Sequence, residues 1–246
     1  EHWKRQLFED ADLTRDEIYT LLGVLSAALG PLRPHELAGV SPALQKSLLI
    51  EREIGGRLRR HLSGNRESGY ALCHPRFREF LGRRAFHADE IARYRADLIA
   101  YCGRWREHRD AYALQHYAAH LAEARRTTDL YALIGREWRE ARQQQAGSLR
   151  AFAGDVAAAL QVAGRGESEP DVRQALRLGL IFASIKSAIE RVPTGLLDAW
   201  VRLGLVDAAC DCAQLAAQPA RRSEAYGVIA GALEAVGEVH RAIEVF

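Results

Sequence analysis

The chain has 246 residues, a formal net charge of +2 and 48% hydrophobic residues. That length and apolar content support the buried core of one large or two ordinary domains. The near-balance of charge excludes a global field that would demand nucleic acid or a membrane surface.

The first helix opens at Thr14, where Thr14 and Glu17 have capping-box spacing. Ile18, Leu21, Leu22, Leu25 and Leu29 then form a single stripe of 3.6 period. Gly30-Pro31 stops it, and a short second helix fits Pro34 to Gly39. Ser41-Pro42 predicts an N-cap followed by proline at the first helical position. This third helix is expected to run to about Glu53, where Gly55-Gly56 breaks it.

The period then changes. Leu58, Arg60 and Leu62 alternate with polar residues, Ser63 to Gly69 is turn chemistry, and Tyr70, Leu72 and His74 alternate again. This predicts a small β-hairpin. Pro75 opens another helix, with Phe77, Phe80 and Leu81 on one face. Three helices, a hairpin and a trailing helix make a winged-helix arrangement, placed at residues 1–84.

Only helices are expected beyond. One stripe is Ile91, Tyr94, Leu98, Tyr101, Cys102 and Trp105, and the next is Leu114, Tyr117 and Leu121. A third, opened by Thr127 or Thr128, is Leu130, Leu133, Ile134 and Trp138. A fourth is Leu149, Phe152, Val156 and Leu160. Gly164 to Pro170 reads as a surface loop. It separates a helical bundle domain at 85–163 from α-helical repeats at 164–246.

In that last region Val172, Leu176, Ile181, Ile185 and Ile189 form one stripe, and Leu196, Leu197, Trp200 and Val201 another. Gly204 to Ala209 lines up with Gly237 to Ala242, 33 residues later. Trp200 then matches Leu233, and Cys210 matches Ile243. A period near ~34 is that of tetratricopeptide-like helical hairpins. The fold class is therefore mostly α, a winged helix followed by a helical solenoid.

No phosphate-binding loop, no G-x-S-x-G elbow and no H-E-x-x-H motif is present. The chain by itself is expected to carry no catalytic centre. His116 and His120 have the i, i+4 spacing of paired metal ligands. No further ligand is placed by sequence, so a helix–helix seam is the expected setting. Cys210 is read as core and Cys212 as incidental, since residues two apart on a helix do not face each other.

The four cysteines, Cys73, Cys102, Cys210 and Cys212, are too few and irregular for a disulfide framework and fit a reducing cytoplasm. No apolar run approaches the ~20 residues that span a bilayer. Glu1-His2-Trp3-Lys4-Arg5 is not a signal peptide. It lacks an initiator methionine, and the pattern is still running at Phe246, so a fragment of a longer polypeptide is expected.

A winged helix invites a DNA-binding reading. The third helix offers Gln45, Lys46, Ser47, Glu51, Arg52 and Glu53, in which the glutamates oppose a phosphate-facing surface. The wing is more basic, with Arg57, Arg59, Arg60 and Arg66. Only three residues are lysine, Lys4, Lys46 and Lys186, and a G+C-rich genome accounts for the arginines more simply than phosphate binding does. His74, where the hairpin hands over to the helix opened by Pro75, is either a structural histidine or a donor to a phosphate oxygen.

Tyr70-Ala-Leu-Cys-His-Pro-Arg-Phe-Arg-Glu-Phe-Leu81 resembles the winged-helix end of STAND-class signal-transducing NTPases, the NACHT and NB-ARC proteins. Leu13 to Val40 resembles the start of the same domain. Tyr112 to Ala124 and Ala175 to Gly204 resemble the helical segments and repeats of bacterial members. The resemblance implies a regulatory and sensor fragment without its NTPase core, from a bacterial protein of defence or stress signalling. It implies ADP or ATP bound by an upstream nucleotide-binding domain on the same polypeptide. It implies that His74 touches the ADP phosphate in the closed state. The eukaryotic motif usually has aspartate after that histidine, and here Pro75 follows. The repeats are implied to bind a protein trigger or to autoinhibit, with oligomerisation on activation. A DNA-binding regulator, contacting phosphates through Arg52, Arg57, Arg59 and Arg60, is the alternative. A plain tetratricopeptide-like scaffold is the third reading.

Overall fold

In the computed structural model the described residues are 14–45, 51, 52, 54, 56–166 and 168–245. Among them the chain is mostly helical, with one two-stranded antiparallel sheet. It divides into two compact units, one up to His120 and one from Leu121. The position expected to divide the chain near residue 84 falls inside the first unit, and the 164–170 loop falls inside the second. No helix among the described residues is long and apolar enough to cross a membrane.

The first unit begins with α1, Arg15–Ala27. Thr14 Oγ1 accepts from Glu17 N, and Glu17 Oε2 accepts from Thr14 N at 2.8 Å, so both halves of the capping box are formed. α2, Pro34–Val40, is capped by its own third residue: Arg33 N donates to Glu36 Oε2 at 2.7 Å. Glu36 is buried, and its other oxygen accepts from Tyr112 N at 3.0 Å, in the first turn of a second helix. One carboxylate thus serves two helix N-termini, where free amides and the helix dipole both favour negative charge.

The third helix departs from expectation. Pro42–Leu44 is a 3-10 turn, and Ser41 makes no side-chain cap. Glu51, Arg52 and Ile54 are helical, whereas Lys46, Ser47 and Glu53 lie outside the described residues.

The hairpin is shorter and later than its alternation predicts. Arg57–Arg60 is a 3-10 turn, not strand. β1 is Leu62–Asn65 and β2 is Gly69–Leu72, with Leu62 opposite Leu72 and Asn65 opposite Gly69. Asn65 draws the strand deeper into the expected turn. Its Oδ1 accepts from Glu67 N at 2.9 Å and Ser68 N at 2.8 Å, closing a tight reversal over three residues. Tyr70 also bridges to Leu32 on its other edge, through bonds of 2.8 and 3.0 Å. That fastens the small sheet to the α1–α2 connection.

α3, Pro75–Phe80, runs into a π turn at Leu81–Ala85. Of the face expected to pack, Leu81 is buried and Phe80 is exposed. α4 is Ala88–Gly103, α5 Trp105–His108 and α6 Ala111–Glu123. Tyr94, Leu98, Tyr101, Cys102 and Trp105 are all buried, as the stripe predicts. Three glycines receive rings from these helices. A Cβ on Gly23 would lie 2.1 Å from Tyr94 Cε2, on Gly30 2.3 Å from His116 Nε2, and on Gly39 2.6 Å from Tyr101 Cε2.

The second unit contains α7 (Thr127–Leu133), α8 (Arg136–Ala146), α9 (Arg150–Ala163) and α10 (Glu169–Glu190). It ends with α11 (Thr194–Arg202), α12 (Val206–Leu215), α13 (Pro219–Ala235) and α14 (Val239–Val245). The expected Leu130–Trp138 helix is two helices, because the chain leaves helical dihedrals at Ile134 and Gly135. Thr127 is the first helical residue and not the cap. A buried group ties α8 to α9. Arg142 Nε and Trp138 Nε1 both donate to Asp155 Oδ2, at 2.8 and 2.9 Å. On α10, Ile185 and Ile189 are buried as expected, but Val172 and Leu176 are exposed.

The turn of the sequence repeat has the same geometry in both copies. Gly204 and Gly237 have φ of +78° and +83°. Leu205 N donates to Trp200 O at 2.8 Å, and Glu238 N to Leu233 O at 2.9 Å. This is the reversal in which a left-handed residue lets the next amide reach back over the helix end. Ala209 and Ala242 then sit buried at matching places. A third instance precedes α7: Arg125 has φ of +54°, Arg126 N donates to Leu121 O at 2.9 Å, and Leu130 is buried.

Candidate functional site at the strand end carrying His74

His74 is the N-cap of α3. Its backbone is extended, and Pro75 follows as the first helical residue. Proline has no N–H, so the first amide available to a cap is that of Arg76. Arg76 N donates to His74 Nδ1 at 3.0 Å. A nitrogen that accepts carries no proton, so the neutral ring holds its hydrogen on Nε2. The residue is exposed, which leaves Nε2–H to be offered outside the fold. The cap bond thus gives His74 one defined tautomer.

The hairpin carries the arginines to the same place. Cys73 N donates to His61 O at 2.9 Å, extending the ladder past Leu62 and Leu72. Cys73 Sγ reaches Arg60 O at 3.3 Å, so Arg60 lies beside the strand end that bears His74. Arg59, Arg60 and Arg76 are exposed. His61 turns inward and stacks on Phe77, ring centroids 4.6 Å apart. Burial, and then the Arg60 charge, lower its pKa. Arg78 is structural: its guanidinium donates to Ala28 O at 2.8 Å, at the C-terminal end of α1.

The alternative set is dispersed. Arg52 is exposed among the helical residues before the hairpin. Arg57 begins the 3-10 turn, and its side chain lies outside the described residues. Arg66, in the hairpin turn, is engaged by Glu51 at 3.6 Å. That acid offsets the basic wing from within. The geometry therefore brings the Arg60 backbone to the strand end that bears His74. An exposed imidazole N–H and an exposed guanidinium are both hydrogen-bond donors suited to an anion.

The paired histidines are committed elsewhere. His116 packs on Gly30, and His120 is buried with Nε2 2.7 Å from Tyr112 Oη. Among the described residues no group of three His, Cys, Asp or Glu side chains could hold a metal ion.

The second unit holds an apolar cleft of about 320 Å³ that sequence reading missed. Leu149, Ile189, Trp200, Leu205 and Cys212 line it. Cys212, read as incidental, is half-buried among them. At its polar end Asp211 accepts from Ser148 Oγ at 2.5 Å and from Arg150 Nη1 at 2.8 Å. Ser148 and Asp211 stand far apart in sequence, and no local pattern announces their meeting.

No family model, curated protein or solved structure matches the chain.

Proposed function

We propose that this chain is the regulatory and sensor part of a STAND-type signalling NTPase. In this reading the hairpin-bearing helical unit is a winged helix that closes over a nucleotide held by an upstream domain. His74 donates through Nε2 to the ADP phosphate in the closed state, and Arg60 adds charge beside it. The helical hairpins of the second unit act as a tetratricopeptide-like surface for a protein trigger. The observation that carries this is the commitment of His74 Nδ1 to the α3 cap, which leaves one outward N–H at a basic strand end.

A ligand shifts a two-state equilibrium only by its differential affinity for the two states. One hydrogen bond to a charged phosphate, made only when closed, contributes about 1.5–3 kcal/mol, or roughly tenfold to a hundredfold. The test is calorimetry with ADP and with ATP on the polypeptide that carries the nucleotide-binding domain. His74→Asp keeps an acceptor for Arg76 N but removes the donor, so the helix cap survives. The expected result is ADP affinity lower by at least that factor, since the carboxylate also repels the phosphate, with ATP affinity unchanged. Equal affinities in wild type and variant would make His74 a cap and nothing more. Absence of nucleotide binding would remove the reading altogether.

A further inference from the structure

The apolar cleft of the second unit is built by separate pieces of chain. Ser148 and Leu149 come from the α8–α9 turn, Ile189 from α10, Trp200 from α11, and Ala208 and Cys212 from α12. Folded interiors leave few voids larger than a water molecule, yet this space is about 320 Å³. Leu205 lines it while remaining 50% exposed. The internal repeat shows that the hairpin itself needs no apolar residue there. Thirty-three residues on, Leu205 is matched by Glu238 and Ala208 by Arg241, both exposed. The turn keeps its geometry with those charges. The apolar character of Leu205 and Ala208 therefore belongs to the cleft.

The polar end of the cleft is an acceptor. The Ser148 hydroxyl donates to Asp211 Oδ2, and Arg150 Nη1 donates to Oδ1. A carboxylate has about four lone-pair sites, so each oxygen keeps one for a further donor. Arg150 already offsets the charge of Asp211, which favours a neutral donor over a cation. We infer that the cleft binds a neutral two-ring aromatic molecule that directs one N–H or O–H at Asp211. An apolar cavity of about 150 Å³ holds benzene, so this volume suits two fused rings. Trp200 gives the guest an aromatic wall, where ring against ring adds to simple burial. The inference is independent of the nucleotide reading, and neither readout below involves a nucleotide.

The test titrates the chain with indole by calorimetry, and with benzofuran, the isostere in which an oxygen replaces the N–H. Indole is expected to bind about tenfold more tightly or better, because benzofuran sets a lone pair against the carboxylate. Asp211→Leu should remove that preference. Ala188→Phe, on an exposed position of α10 that lines the cleft, should abolish indole binding with the helical content unchanged. At indole of about nine times its Kd, alkylation of Cys212 by N-ethylmaleimide should slow about tenfold, because only the empty cleft reacts. Alkylation of the exposed Cys73, followed in the same peptide masses, should not change. Equal affinity for the two rings would overturn the inference, as would indole binding that leaves Cys212 alkylation unchanged. Absence of binding by either ring would overturn it too, and would leave the cleft to a side chain of a protein partner.

Discussion

His120 should make the first unit sensitive to acid. Tyr112 Oη accepts from Leu29 N at 3.1 Å and lies 2.7 Å from His120 Nε2. Protonating the ring would place a positive charge in a site that is 2% exposed. Burial first, and then the charges of His116 and Arg95, hold the His120 pKa at about 4, from an ordinary 6.5. Between those values the unfolded chain binds a proton that the folded chain refuses. The stability in question is therefore fully present above pH 6.5 and is lost as pH falls toward 4. At 1.36 kcal/mol per pK unit the loss is about 3 kcal/mol. Urea unfolding at pH 7, 5.5 and 4 measures it. His120→Gln keeps an acceptor for the tyrosine but cannot titrate, so subtracting its pH profile isolates this group from the other histidines. Parallel profiles for wild type and His120→Gln would refute the reasoning.

Gly23→Ala poses two effects of opposite sign. Helix propensity alone predicts a gain of up to about 1 kcal/mol, but the new Cβ would lie 2.1 Å from the buried Tyr94 ring. Overpacking costs about 1–3 kcal/mol, so a lower urea midpoint is expected, and Tyr94→Leu should cost less in the alanine background than in wild type. Arg125 pays for its left-handed dihedral where the two equivalent turns use glycine. Arg125→Gly should raise stability by roughly 0.5–1 kcal/mol, the steric relief exceeding the added freedom of the unfolded chain. Gly237→Arg should lower it by a similar amount, both read by urea unfolding.

Local chemistry made much of this protein legible in its sequence. The Thr14–Glu17 box, the Tyr94–Trp105 stripe and the 33-residue repeat are each set by neighbours within a turn or two of helix. Hydrogen-bond reach and the 3.6 period decide them before any packing. The repeat was visible because its left-handed residues are glycines. Its third instance was hidden because Arg125 occupies that dihedral, and composition cannot report a conformation enforced by the surrounding helices. Alternation places the hairpin four residues early, at Leu58, because it does not by itself separate a strand from a 3-10 turn. Asn65, by bonding two turn amides, fixes where the strands end. Val172 and Leu176 were assigned to a packed stripe by period, but burial depends on whether another element covers that face. Only the tertiary structure decided what joins residues far apart in sequence. Glu36 meets the amide of Tyr112, Cys73 draws the Arg60 backbone to the strand end that bears His74, and Ser148 meets Asp211. Each of these is a contact between groups that chain folding brings together, and no spacing along a single helix or strand encodes it.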